Sequence, residues 1–196
     1  MPRMFLVIVA TALATPAAAS SLDAFWSDLQ ALCGKAFDGE LITEPEGEDG
    51  FAGRDLVMHV RECRDDRIRI PFVVGEDRSR TWVLTRVEVD GKPRLELKHD
   101  HRHEDGTEDD ITMYGGTSTS TGLATQQVFP ADQHTRELIE PAHSNVWRVE
   151  LLSGERFSYH LRRLGTERVF QVDFDLTRSI DPPDAPWGWE DADPAP

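Results

Sequence analysis

The chain has 196 residues, and its 36 acidic side chains against 21 lysines and arginines give a formal net charge of −15 at pH 7. So acidic a chain repels the phosphate backbone, which argues against nucleic acid as a partner. A chain of this length can bury a sizeable core as one domain, which we place at residues 20–180.

Residues 1–19 have the layout of a secretory signal peptide. Arg3 precedes a short apolar run, and the segment ends in an Ala-x-Ala pattern at Ala19. The run is too short to span a bilayer, and no cysteine stands at the cleavage position to carry a lipid anchor. Cleavage would leave 20 basic and 36 acidic residues, a net charge of −16. The sequence therefore predicts a soluble periplasmic or secreted bacterial protein without a membrane anchor.

The first element predicted after this segment is a helix over residues 21–32, where apolar side chains recur at helical spacing. Ser21 is the expected N-cap, and Gly34 is expected to end the helix. The chain has two cysteines, Cys33 after this helix and Cys63 at the end of a strand. An even pair in an exported chain predicts a disulfide, worth roughly 3–4 kcal/mol in the chain-entropy model.

After the helix, hydrophobic residues alternate with a period of two, which is typical of strands with one buried and one solvated face. Short turn signals separate the runs, so consecutive strands should pair as an antiparallel meander. The predicted strands cover residues 39–43, 54–62, 68–74, 80–89, 95–103, 109–114, 122–129, 146–151, 157–162 and 170–176. An open sheet of so many strands would have exposed edge strands, and closing the sheet into a barrel removes them. We therefore predict a mainly β fold, a small calycin-like barrel with an N-terminal helix. A two-sheet sandwich is the alternative.

Two further segments have distinctive compositions, and a short helix is predicted between them. Residues 115–122, rich in Gly, Ser and Thr, are expected to form a loop. Asp132 is the expected N-cap of a short helix over residues 133–139, which comes before the last three strands. The tail, residues 181–196, is rich in proline and acidic side chains and should be irregular. Its tryptophans are unusual for a disordered segment, which is consistent with docking onto the barrel.

The stretch LKHDHRHEDGTEDD, residues 97–110, concentrates the residues most capable of chemistry. Extending the strand alternation from Leu97 places His99, His101 and His103 on the inward face, toward one mouth of the barrel. Their partners depend on the turn. With Gly106 in the left-handed conformation, His101 faces Asp109, His99 faces Ile111 and Leu97 faces Met113.

His99, His101, His103 and Asp109 are therefore the candidate ligand-binding residues. Alternate residues of a strand lie about 6.5–7 Å apart, so neighbouring histidines could share one ion. The candidate metal ligands are His101, His103 and Asp109, and the metal would be a divalent transition ion such as zinc. Two other interpretations stay open: the pairs only stabilise the hairpin tip, or a histidine beside a carboxylate acts as an acid or base.

Four motifs between Arg78 and Asp132, RSRTWVLT, LKHDHRHEDG, MYGG and FPAD, resemble a family of exported bacterial proteins. The resemblance covers most of the mature chain. It implies bacterial export and supplies no activity or site residues.

The leading functional hypothesis is an exported β-barrel that binds a small ligand, with or without a metal ion, at the mouth marked by the three histidines. The alternative is a metal-assisted or His/Asp hydrolase, which needs a second polar cluster from another strand. A third hypothesis is a non-catalytic structural or interaction protein of the envelope, with Trp187 and Trp189 as its contact. The chain has no Gly-x-Ser-x-Gly elbow, P-loop or His-Glu-x-x-His motif, so no catalytic residues are assigned and binding is favoured over catalysis.

Overall fold

The computed structural model describes residues 19–43 and 50–190. The predicted signal peptide lies outside the described residues except for its last position, and so does the end of the tail, residues 191–196. Among the described residues, no helix is long and apolar enough to cross a membrane.

The described part of the chain is dominated by strands. It contains α1 (Ser21–Gln30), β1 (Ala36–Thr43), β2 (Leu56–His59), β3 (Glu62–Cys63), β4 (Arg67–Val74), β5 (Asp77–Val89), β6 (Lys92–His101), β7 (Tyr114–Thr117), β8 (Gln126–Pro130), α2 (Gln133–Leu138), a 3-10 helix (Glu140–Ser144), β9 (Asn145–Leu152), β10 (Arg156–Arg163) and β11 (Val169–Asp175). The short helix before the last three strands is confirmed.

The strands form a single antiparallel sheet in the order β7-β6-β5-β4-β2-β1-β11-β10-β9-β8, with β3 paired to β4 beside this path. Neighbours in the sheet are consecutive in the chain except where β1 pairs with β11 and where β2 pairs with β4, past the short β3, so the predicted meander is confirmed. The sheet curls until its two ends approach, and the Asp132 amide after β8 donates to the Gly115 carbonyl of β7 at 3.0 Å. The result is a nearly closed barrel, and the sandwich alternative is wrong.

Helix α1 belongs to the hydrophobic core of the barrel. It buries Leu22, Phe25, Trp26 and Leu29 against the inward side chains of the strands. Its N-cap is Ser20, one residue before the predicted position, and the Ser20 hydroxyl accepts from the Asp23 amide at 3.1 Å. The predicted Cys33–Cys63 disulfide is confirmed, with the two Cα atoms 6.1 Å apart. It joins the chain after α1 to β3, so the helix is covalently fixed to the sheet.

The two ends of the sheet meet at a seam, formed by Gly115 and Gly116 of β7 against residues 130–132. A Cβ atom on Gly116 would lie only 1.8 Å from the Pro130 carbonyl oxygen. The expectation that residues 115–122 form a loop is therefore wrong at its start, because the missing side chains allow two backbones to approach and complete the barrel.

Helix α2 stabilises the seam from the side. Asp132 is its N-cap, as predicted, and its carboxylate accepts from the Thr135 amide at 2.8 Å. The same carboxylate forms an ion pair with Lys98 of β6. Buried Thr135 accepts from the Gly115 amide at 2.6 Å and donates to the Gly115 carbonyl at 2.8 Å. The helix therefore holds both ends of the sheet together.

Candidate functional site

The tip of the histidine hairpin has the predicted register. Arg102 forms a bridge with Glu108, and the His103 amide donates to the Thr107 carbonyl at 2.9 Å. Gly106 has a φ of +84°, the left-handed conformation on which the predicted turn depends.

Below the tip the predicted register is wrong. His99 pairs with Tyr114 rather than Ile111, and Leu97 pairs with Gly116 rather than Met113. Ile111 and Met113 lie outside the core, 46% and 37% exposed, and Met113 has a φ of +55°. Residues 110–113 therefore bulge out of the hairpin, and β7 begins only where the glycines of the seam can approach β6.

His99 and His101 lie at the cavity described below, whereas His103 and Asp109 do not line it. His103 lies two residues beyond the end of β6 and is exposed. Asp109 accepts from the Ile111 amide at 2.8 Å. Among the described residues, no carboxylate makes a hydrogen bond or an ion pair with the His99 or His101 ring. The alternation thus places two of the four candidate residues at the site, and their role in binding stays a prediction.

The structure does not support the predicted metal site. Within residues 19–43 and 50–190, no group of three or more His, Cys, Asp or Glu side chains is arranged to hold a metal ion. His101, His103 and Asp109 are therefore not brought together as a ligand set, and zinc binding stays a prediction.

A cavity of about 220 Å³ opens at this mouth of the barrel. Helix α1 lies toward the other end, since Asp23 of α1 pairs with Arg86, six residues along β5 from the cavity residue Arg80. The lining is mostly aromatic and cationic: Phe51, Phe72, Arg80, Thr81, Trp82, His99, His101, Tyr114, Ile139, Ala142, Asn145, Trp147, Tyr159, Leu161, Arg163, Arg168 and Phe170.

His99 is held in one tautomer by its two hydrogen bonds. Its Nδ1 lies 2.9 Å from the Tyr114 carbonyl oxygen, which can only accept, so Nδ1 carries the proton. Its Nε2 therefore accepts from the Tyr159 hydroxyl at 2.6 Å. The residue is only 3% exposed, and burial lowers the pKa of His99 to about 3. The ring is neutral at physiological pH.

The His101 ring, like that of His99, contacts a tyrosine hydroxyl. Its Nε2 lies 3.1 Å from the Tyr114 hydroxyl. Burial, with a smaller contribution from the Arg80 charge, lowers the pKa of His101 to about 4. Burial also raises the pKa of Tyr114 to about 12 and raises the pKa of Tyr159 well above its usual value. These imidazoles are weak bases and these phenols weak acids, which fits binding better than proton transfer.

The floor of the cavity is a stack of aromatic rings. Trp82 lies between Phe72 and Tyr159, with ring centroids 4.8 Å and 4.4 Å away. It is only 3% exposed and belongs to the hydrophobic core. Tyr114 stacks on His99 at 4.6 Å. Flat apolar faces of this kind suit an aromatic or aliphatic group of a ligand.

Three arginines, Arg80, Arg163 and Arg168, line the same cavity, and no pattern in the sequence predicts them as site residues. Arg80 forms an ion pair with Asp77, and the Arg163 Nε donates to the Asn145 side-chain oxygen at 2.9 Å. The three lie on or beside the ends of β5, β10 and β11, so no local pattern indicates that they converge. The alternation of side chains within each strand indicates which of these arginines face inward, but not that they lie close together.

The outer face of the histidine hairpin is covered by residues 185–189, which we call the C-terminal strap. The Trp189 Nε1 donates to the Asp100 carboxylate at 2.9 Å. The guanidinium carbons of Arg69 and Arg102 lie 3.7 Å and 4.6 Å from the Trp189 ring centroid. Asp100 alternates with the inward-facing His99 and His101 and so points outward, yet it is only 3% exposed because the strap covers it. The described part of the tail is irregular and docked.

Replacing Trp189 by alanine is expected to lower the free energy of unfolding by about 2 kcal/mol. The change removes a hydrogen bond to a buried carboxylate and two cation–π contacts. Urea denaturation monitored by circular dichroism measures it. The Trp189→Phe variant keeps the aromatic ring but not the Nε1–H group, so its loss should be about half as large. An unchanged midpoint in Trp189→Ala would show that the strap contributes nothing to stability.

The site therefore combines an aromatic floor, neutral histidine and tyrosine side chains, and a rim with three guanidinium groups. Such a wall can bind a small molecule by stacking, hydrogen bonding and charge. No protein-family model, no curated protein and no solved structure matches the chain.

Proposed function

We propose that the protein is an exported barrel that binds one small organic molecule in the cavity beside His99 and His101. The observation that carries the proposal is the cavity itself, about 220 Å³ in a barrel whose remaining interior is filled by side chains. Its volume lies just below the roughly 300–1,000 Å³ of typical ligand sites. The ligand is accordingly small, of the size of one or two rings.

Binding is favoured over hydrolysis by the state of the polar groups. A His/Asp hydrolase needs a carboxylate that orients the histidine and a base that is active near neutral pH. Here the His99 and His101 rings are hydrogen bonded to tyrosine hydroxyls, and burial holds the pKa values of both well below neutral. These contacts fix the shape of the cavity wall.

Two further observations support the other parts of the proposal. The Cys33–Cys63 disulfide fits export, because such bonds persist mainly in oxidising compartments. The Trp189 indole is used within the chain, which argues against the tail tryptophans as a contact for an envelope partner. A binding protein therefore accounts for more of the structure than a structural protein does.

The proposal is tested by fluorescence titration, since Trp82 and Trp147 line the cavity and report on its occupant. Across a panel of one- and two-ring organic molecules, at least one should quench saturably with a stoichiometry of one. The Ala142→Phe variant, which fills the cavity from a buried position, should lose this binding. Leu161→Phe serves as a second blocking variant, and Val128→Phe on the outer face of β8 as the control.

Binding that survives both blocking variants would place the ligand elsewhere. A panel without any saturable binder would contradict the proposed function. Thermal melts of each variant separate loss of binding from loss of folding.

A further inference from the structure

We propose that the ligand of this cavity is a small organic anion, with a flat apolar body on the aromatic floor and a carboxylate or similar oxyanion on Arg163. This inference rests on the proposed function and specifies its ligand class. It follows from the charges, the hydrogen bonds and the size of the cavity.

The charge of the lining is opposite to that of the chain. Acidic residues outnumber basic ones 36 to 21 in the whole sequence. Yet the described residues that line the cavity include three arginines and neither aspartate nor glutamate. If the lining had the average composition of the chain, it would contain aspartate or glutamate side chains. It contains arginines instead, so its charge suits the binding of an anion.

Arg163 is the cation best placed to hold that anion. Its Nε donates to Asn145 at 2.9 Å, and Asn145 is buried, so a neutral, fixed side chain orients the guanidinium group. Among the described residues, no carboxylate pairs with Arg163. Its terminal nitrogens belong to a planar fork whose geometry matches the two oxygens of a carboxylate.

The other two arginines have different surroundings. Arg80 is paired with Asp77 and lies over the Phe51 ring, 5.6 Å from its centroid, so much of its charge is already compensated. Burial lowers the pKa of Arg168, because desolvation disfavours its charged form.

The apolar part of the ligand is defined by the floor. Trp82 and Tyr159 stack on each other with 13° between their planes, and together with Phe170 and Trp147 they give the cavity an aromatic lining. About 220 Å³ accommodates one or two fused rings and is too small for a long acyl chain. The class is thus a compact aromatic or alicyclic acid.

Two isosteric probes separate charge from shape: 2-naphthoate and its neutral analogue 2-naphthamide. By isothermal titration calorimetry at pH 7, the naphthoate should bind at least about tenfold more tightly, as expected for a charge-assisted hydrogen bond. The Arg163→Gln variant should lose this preference, whereas its affinity for the amide should change by less than about twofold. The neighbouring Arg162→Gln variant, whose side chain is exposed and outside the cavity, is the matched control and should keep the preference.

Each outcome of these titrations tests a different part of the proposal. Equal affinities for the two probes in the unaltered protein would overturn the anion class and leave cavity binding intact. Binding of neither probe would contradict the ligand class, whereas the proposed function is decided separately by the panel of one- and two-ring molecules. Since Arg163→Gln also loses the hydrogen bond to Asn145, Arg163→Lys is measured beside it. It keeps the charge without the fork, so its preference for the naphthoate should be intermediate, and a full preference in both variants would exclude Arg163 as the anion site.

Discussion

Acidification from pH 7 to pH 4.5 is expected to lower the free energy of unfolding by about 7 kcal/mol through three histidines. These are His59, His99 and His101, of which His59 and His99 are almost completely buried. Burial lowers their pKa values to about 4, 3 and 4, with the positive charges of Arg61 and Arg80 contributing at His59 and His101. The folded protein thus keeps all three neutral over most of this range.

The sign follows from proton uptake in the two states. In the unfolded chain each histidine has its ordinary pKa of about 6.5, so above that pH it is neutral in both states and contributes nothing. Between pH 6.5 and about 4 the unfolded chain binds protons that the folded chain does not. Each histidine then removes up to about 1.4 kcal/mol of stability per pH unit.

Urea denaturation at pH 7, 6, 5 and 4.5 measures this slope. His99→Gln should be less stable than the unaltered protein at pH 7, because it disturbs the bonds to Tyr114 and Tyr159, but its stability should fall less steeply by about 1.4 kcal/mol per pH unit. His134→Gln, at an exposed position of α2, is the control and should keep the original slope. A slope unaffected by His99→Gln would mean that this imidazole is protonated in the folded state.

Local pattern was sufficient to predict the elements that depend on neighbouring residues. The helical spacing from Leu22 onward predicts α1, and the period of two predicts strands that the structure contains as β4, β6, β9, β10 and β11. The cysteine pair predicts the bond between α1 and β3. Sequential hairpins with short turns leave few ways to arrange such strands, which is why the meander was predictable as well.

The hairpin shows where prediction from pattern ends. Alternation from Leu97 places His99 and His101 inward, because parity is a property of one strand. The opposite strand was misplaced by three residues, since residues 110–113 bulge out and Met113 takes a positive φ. The apolar appearance of Ile111 and Met113 favoured the wrong pairing. The correct one depends on backbone contacts at Gly116, made with a segment distant in the sequence.

The arginines of the cavity were missed for a related reason. Arg80, Arg163 and Arg168 approach one another only once β10 lies beside β11 and the curled sheet brings β5 to the same mouth. Their convergence is a property of the closed barrel. The histidines could be predicted as a candidate site because they lie at alternate positions of one short stretch. The cationic rim is assembled from residues that are distant in the sequence.

Replacing Gly116 by alanine is expected to lower the free energy of unfolding by about 4 kcal/mol. The new Cβ would lie 1.8 Å from the Pro130 oxygen and 2.8 Å from its carbonyl carbon, so two backbones must separate. Overpacking of this kind costs about 1–3 kcal/mol, and each hydrogen bond lost at the seam adds about 1 kcal/mol. The bonds at risk are those that Gly115 makes with Asp132 and Thr135.

Two measurements together show whether the seam is the part that fails. Urea denaturation gives the loss of stability, and hydrogen exchange of the Asp132 amide, which donates to Gly115, should accelerate before that of amides between β9 and β10. Gly50→Ala is the matched control, because its new Cβ meets no atom of the described residues within 4 Å and its φ is not in the left-handed range, so its effect should stay within about 0.5 kcal/mol. A Gly116→Ala protein as stable as Gly50→Ala would mean that the barrel can widen at this seam without cost. The close approach of β7 to residues 130–132 would then not hold the mouth together, and the shape of the cavity would have to be maintained by α2 and the aromatic floor alone.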